Sequence, residues 1–257
     1  MRFVILPLLV AYLSLNAHLA CEAAPPKASP VFAALNPKRA DVVLANGTSM
    51  QYSKSPLANG LSWQASGFLE SGGCSSGKQY ISDCYEMSLV ADPTQQLDPG
   101  AGTPRQRIEF LTAHQPDRAK WKYVWKSYIP AYDTGSTSFF HIMQIVTTGG
   151  PIYFMDIIED MVYVKDVAAG THLASATLAD FSNRPLLHTM TITYGPSGSI
   201  KFAIADSQTG DAVLSFSKSG GIGSDGTYLK FGMYRATYKG EPSIKAWYGD
   251  FVETQLS

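Results

Sequence analysis

Between Leu187 and Ser217 the chain reads LHTMTITYG, PSG, SIKFAIA, DSQTGD, AVLSFS, an alternation of period two broken at short intervals by turn-forming residues. In an extended strand successive side chains point to opposite faces. His188, Met190, Ile192 and Tyr194 therefore share one side and three threonines the other, and Ile200, Phe202 and Ile204 repeat the pattern in the next run. A helix cannot use such a pattern, so this part of the chain is a meander of antiparallel strands. The same texture runs upstream through KWKYVWKSYI, SFFHIMQIVT, GGPIYFMDI and MVYVKD, and helical periodicity is confined to a turn or two at ASATLADFS. About ten to twelve strands without intervening helices predict an all-β fold, a jelly roll or concanavalin-like sandwich of two antiparallel sheets.

The chain begins MRFVILPLLVAYLSLNAHLACEAAPP, an apolar run behind a single Arg, followed by small residues and prolines. That is the layout of a secretory signal peptide, too short to span a bilayer. Cleavage is expected after Ala20 or Ala23, and His18 argues against a lipid anchor on Cys21. The expected organisation is a signal peptide over 1–23, an extended lead-in over 24–45 and one β domain over 46–257, with a secreted, extracellular product. With Cys21 set aside, Cys74 and Cys84 remain as a disulfide pair suited to that compartment. Asn46-Gly47-Thr48 spells a glycosylation sequon.

A formal net charge of −1 and only 16% charged residues leave no basic patch for nucleic acid. Neither nucleic acid nor a membrane is an expected partner, and monomer is the default state. GIGSDG, Gly221–Gly226, matches a dinucleotide fingerprint in letters alone, because a strand rather than a helix follows it. No G-x-S-x-G elbow is present, and His114, His141, His172 and His188 are too scattered for zinc. Asp156, Glu159 and Asp160 in MDIIED could serve a two-carboxylate glycoside hydrolase, but strand alternation sends Asp156 and Glu159 to opposite faces.

Three strands carry polar rows backed by apolar ones. In RQRIEFL, Arg105, Arg107, Glu109 and Leu111 share a face; in YLKFGMYR, Tyr228, Lys230, Gly232 and Tyr234 do; in FFHIMQIV, regular alternation groups Phe140, Ile142, Gln144 and Val146 and sends His141 to the other side. Together these rows resemble the R-S-E-L-R, Q-I-H and Y-F-K-A-G-x-Y motifs of family 7 alginate lyases and their relatives, with the pattern nearest the family 20 glucuronan lyases. The third match is the most specific. Leu111 stands where the first motif ends in Arg, and Val146 where the second has its His. The site residues implied are Tyr234, Arg107 and Gln144 as catalytic, with Lys230, Tyr228 and Glu109 as substrate-binding. His141 joins them only if a β-bulge turns it to the face of Gln144.

The resemblance implies a jelly-roll polysaccharide lyase whose partner is an acidic polysaccharide, cleaved by β-elimination. Arg107 and Gln144 would neutralise the uronate carboxylate as charge develops on it. Tyr234 would take the C5 proton and return it to the leaving oxygen, with Lys230 and Arg107 as the cations that favour its phenolate. Tyr228 would contact sugar, and Gly232 would leave room for a ring to lie on the strand. Without the motif's His, a single-tyrosine syn elimination on a D-glucuronate polymer such as β-1,4-glucuronan is the economical expectation. No cofactor is required; a structural calcium ion occurs in some lyases of this kind, but no ligands for one can be named here. A non-catalytic carbohydrate-binding jelly roll, with Trp63, Trp121 and Trp125 as stacking platforms, is the rival reading.

Overall fold

The computed structural model describes residues 41–53, 56–72, 74, 77–100, 102–131 and 138–257. The expected signal peptide and lead-in up to residue 40 lie outside the described residues. Sixteen strands and one helical turn follow in chain order among them. The first five strands are β1 (Val42–Asn46), β2 (Gln51–Tyr52), β3 (Ser62–Ala65), β4 (Phe68–Ser71) and β5 (Cys84–Leu89). Next come β6 (Arg105–Leu111), β7 (Lys120–Tyr128), β8 (Phe140–Thr147), β9 (Gly150–Ile158), β10 (Met161–Asp166) and β11 (Thr171–Thr177). The helical turn α1 (Leu178–Phe181) precedes β12 (Pro185–Thr193), β13 (Ser199–Asp206), β14 (Ala212–Ser219), β15 (Tyr228–Ala236) and β16 (Ile244–Gln255).

These strands form two eight-stranded antiparallel sheets, ordered β1-β4-β5-β16-β7-β12-β13-β14 and β11-β10-β9-β8-β15-β6-β3-β2. The expected jelly-roll sandwich is the fold observed. Three differences from the sequence reading are local. Residues 42–45, expected in the lead-in, belong to β1, which pairs with β4. The strand count exceeds the expected range, partly because pieces as short as β2 carry too few residues to show alternation. ASATLADFS is divided between a strand and a single turn, whose cap is the Thr177 hydroxyl accepting from the Asp180 N–H. Cys74 and Cys84 are joined as expected, with Cα atoms 6.0 Å apart.

The core lies between the sheets, where the apolar side of β15 (Leu229, Phe231 and Met233) meets Trp125 of β7 and Phe202 of β13. Trp125 stacks on His188 and Phe231 at 4.7 and 5.0 Å between ring centroids. Trp63 and Trp125 are thus interior residues and Trp121 packs against the same cluster, so none of the three is an exposed sugar platform. The preference of their large apolar surface for the interior decides this.

His188 is buried beside Ser127, whose Oγ lies 2.8 Å from Nε2, and burial pushes the imidazole down to about 3. An unfolded histidine titrates near ~6.5. Between these values the unfolded chain binds a proton that the folded one refuses, so this contribution is complete above about pH 6.5 and is lost toward pH 3, by up to about 1.4 kcal/mol per pH unit. The melting temperature is expected to fall as pH drops below about 6, with a shallower slope in a Ser127→Ala/His188→Phe double variant. An unchanged slope in calorimetry would exclude His188 as the source.

At one end of the sandwich the inward side of β6 and β15 turns polar. Arg235 donates to Gln106 Oε1 from Nε (2.9 Å) and from Nη2 (2.6 Å), and to the Pro242 and Val90 carbonyls at 2.8 and 2.7 Å. Gln106 in turn donates to the carbonyls of Val90, Asp92 and Gln95. A buried guanidinium is tolerated because its donors are used. Its effect is to pin the connection from β5 to β6, which carries Thr103 and Asp98 toward the outer face of the second sheet.

Candidate active site

Five adjacent strands of the second sheet, β3, β6, β15, β8 and β9, present Gln64, Glu109, Arg107, Lys230, Tyr234, Gln144, His141 and Asp156 on the face turned away from the core. Register explains the grouping. Tyr234 stands opposite Arg107 on one side and His141 on the other, Lys230 opposite Gln144, and Gly232 opposite Glu109. Residues far apart in sequence become neighbours because cross-strand Cβ atoms lie only about 4.5–5.5 Å apart.

The required bulge is present. Pairing slips by one residue between Phe231 and Tyr234 on the β15 side of β8, and between His141 and Met143 on its β9 side. Ile142 and Met143 both enter the core cluster, which breaks the alternation. His141 therefore shares the outer face with Gln144, and Phe140 and Ile142 point inward, the reverse of what regular alternation predicts. The His141 ring sits 5.7 Å from that of Tyr234, between Phe139 and Phe154. Its Nδ1 is hydrogen-bonded to Asp156 Oδ1, which fixes the ring and leaves Nε2 as the free nitrogen.

Glu109, only 2% exposed, is the hub of the cluster. Its carboxylate accepts from Gln64 Nε2 at 2.9 Å and from Gln144 Nε2, with Arg107 Nε at 3.4 Å and Lys230 Nζ at 3.8 Å. Two amides and two cations are thereby gathered around one carboxylate. Burial lowers the Lys230 pKa, with Glu109 opposing that shift. For Arg107 burial acts against the charge, but Glu109, Tyr234 and Asp98 outweigh it and raise the pKa. Tyr228 is raised by burial and then by Glu109; its ring stacks on His114 at 4.3 Å.

The cations on Tyr234 are not the expected pair. Arg107 lies over the ring, Cζ 3.9 Å from its centroid, and Arg105 Nη1 donates to the phenolic oxygen at 2.7 Å. Lys230 turns instead toward Glu109 and the Tyr228 ring. Gly232 also has a reason other than the expected one. With φ at +143°, a Cβ there would overlap the Ile108 carbonyl oxygen and lie 2.9 Å from the Glu109 Cα, so backbone approach excludes a side chain whether or not sugar is bound.

Arg105, Asp98, Gln64 and Asp156, the histidine's partner, belong to the site without being marked by the three strand motifs. Only Arg105 had a visible signal, its place in the same row as Arg107. The acids of MDIIED do not form a pair: Asp156 is committed to His141, while Glu159 and Asp160 occupy the turn between β9 and β10. Val146 faces Tyr228 across the strand pair, and Leu111 faces Lys230. Among the described residues no group of three or more His, Cys, Asp or Glu could hold a metal ion, and no helix is long and apolar enough to cross a membrane.

No family model matches the sequence, and neither does any curated protein. Solved structures similar to this chain include an alginate lyase of polysaccharide lyase family 7, with a TM-score of 0.49 and 14% identity over 68% of this chain and 80% of that one. Another is the alginate lyase from Corynebacterium sp., with a TM-score of 0.48 and 14% identity over 67% and 77% of the two chains. A third is the endo-β-1,4-glucuronan lyase from the fungus Trichoderma reesei, with a TM-score of 0.47 and 14% identity over 68% and 82%.

Proposed function

We propose that this protein is a secreted polysaccharide lyase that cleaves a uronate-containing glycan by β-elimination, with Tyr234 as the proton-transferring group. The observation that carries the reading is the convergence of Tyr234, His141, Gln144 and Arg107 from three neighbouring strands on one outer face. A carbohydrate-binding module has no need of a tyrosine held against two guanidinium groups, and a two-carboxylate hydrolase would need a second unpaired acid where Asp156 is already bound.

The chemistry follows from the charges. The C5 proton of a uronate is a weak acid until negative charge can spread into the adjacent carboxylate, so fixed donors near that carboxylate lower the barrier. Tyr234, acting as phenolate with one guanidinium over its ring and another at its oxygen, takes the C5 proton. The electron pair of the C5–H bond becomes the C4–C5 double bond as the C4–O bond breaks. The leaving oxygen then takes the proton from the Tyr234 phenol, and the phenolate is restored.

One residue suffices when the C5 proton and C4 oxygen lie on the same side of the ring, as in D-glucuronate and D-mannuronate. This favours a D-configured polymer, β-1,4-glucuronan first. A second reading rests on His141: an imidazole oriented by Asp156 and placed beside Tyr234 supplies the second group that elimination from L-guluronate needs.

Incubation with polyglucuronate, polymannuronate and polyguluronate, followed by ultraviolet absorbance of the unsaturated uronate, decides among these. Product from polyglucuronate is the expected result. Product from polyguluronate alone, lost in His141→Asn, would replace the syn reading with the two-residue one. Reducing ends without absorbance would mark a hydrolase, and binding without either a lectin.

A further inference from the structure

Among the described residues the site holds three cationic side chains, and two of them are ion-paired. Arg107 is ion-paired to Asp98 at 2.8 Å and approaches Glu109, and Lys230 approaches Glu109. Arg105 differs from both: among the described residues no carboxylate forms an ion pair with it. It is half-buried. Its Nε and Nη2 share the Thr103 hydroxyl at 3.3 and 3.2 Å, and Nη1 donates to Tyr234 Oη. Phe139 covers one side of the guanidinium, 5.2 Å from Cζ. A guanidinium has five N–H donors in a rigid fork. Three are engaged here, which leaves one N–H on each terminal nitrogen.

We infer that Arg105, rather than Arg107, anchors the carboxylate of the uronate whose C5 proton is removed. The inference rests on the lyase reading and assigns its substrate contact. The geometric reason is short range. The carboxyl carbon is one bond from C5, so when the Tyr234 oxygen meets the C5 proton, the carboxylate comes within reach of the group that touches that oxygen, which is Arg105. Arg107 lies over the ring face and is ion-paired to Asp98 with Glu109 beside it, so its charge is already shared with two acids and it sits away from the phenolic oxygen. Arg105 keeps one unspent N–H on each terminal nitrogen, and a guanidinium with donors on both can grip a carboxylate. As the C5 proton leaves, charge passes from phenolate to carboxylate, and Arg105 contacts both.

The test uses the Tyr234→Phe protein, which binds without turning over, and compares glucuronate oligomers with the same oligomers after reduction of their carboxyl groups. Titration calorimetry is expected to show a preference of roughly 10- to 100-fold for the acidic oligomer, the strength of a charge-assisted hydrogen-bonded contact. Adding Arg105→Ala should erase that preference while leaving the affinity for the reduced oligomer unchanged. In the active protein, Arg105→Lys keeps the charge but loses the fork, and should lower kcat by about 10²- to 10³-fold. A preference that survives Arg105→Ala and disappears in Arg107→Ala overturns the inference and returns the anchor to Arg107. Absence of unsaturated product from the wild-type protein on every uronate polymer overturns the lyase reading itself, a separate result from the binding comparison.

Discussion

Tyr234→Phe is expected to lower formation of unsaturated uronate by at least about 10³-fold, within the range that a positioned proton-transfer group supplies. The fold should be almost untouched. Phenylalanine keeps the ring that lies under Arg107 at 3.9 Å and beside Phe139 at 5.1 Å, and loses one hydrogen bond, from Arg105. Because Arg105 is only half-buried, water can replace that partner, and the cost in stability is about 1 kcal/mol or less. Melting temperatures within roughly 2–4 °C of each other are therefore expected alongside the loss of rate. A Tyr234→Phe protein that retains wild-type turnover would remove Tyr234 from the mechanism.

Gly232→Ala should have the largest effect on stability of any single methyl group added to the second sheet. The glycine sits at φ +143°, with its site for a Cβ blocked by the backbone of β6 at Ile108 and Glu109. Its carbonyl also accepts from the Tyr248 hydroxyl at 2.9 Å, so the strand cannot move aside without breaking that bond. Strain at such a φ and overpacking each cost about 1–3 kcal/mol, and together roughly 3 kcal/mol or more. For a domain of this size that is a fall in melting temperature of about 6–12 °C. Gly102→Ala is the control, since nothing lies within 4 Å of its Cβ position and its φ is ordinary. Equal melting temperatures for the two variants would refute the backbone-approach argument. Activity should fall with the fold, because Gly232 lies in the slip of pairing that sets Tyr234 opposite His141.

Much of the site's scaffold was legible in the sequence. The rows Arg105–Arg107–Glu109 and Tyr228–Lys230–Tyr234 are regular strands, so alternation alone assigns their faces. β8 was not legible in this way. FHIMQIV is apolar at most positions, and a run buried on one side and covered on the other leaves no polar contrast to reveal that Ile142 and Met143 point the same way. The partners that define each side chain's state were equally hidden. Asp98, Gln64 and Thr103 sit in runs of unremarkable composition, and Asp156 sat in a motif that suggested a different chemistry.

Trp63 and Trp125 show the opposite case, where composition suggested sugar platforms and packing decided otherwise. Their alternation with polar neighbours was visible, but alternation says only that two faces differ, not which of them meets the other sheet. The sequence by itself determined an all-β sandwich, the strands that carry polar rows and the residues from which a uronate lyase could be assembled, because those properties depend on neighbours one to four positions away. Only the tertiary structure decided that His141 joins Gln144, that Glu109 organises the site from within and that Arg105 has no carboxylate partner among the described residues. Those depend on register slips and on contacts between strands distant in the chain, where a shift of one residue reverses every face.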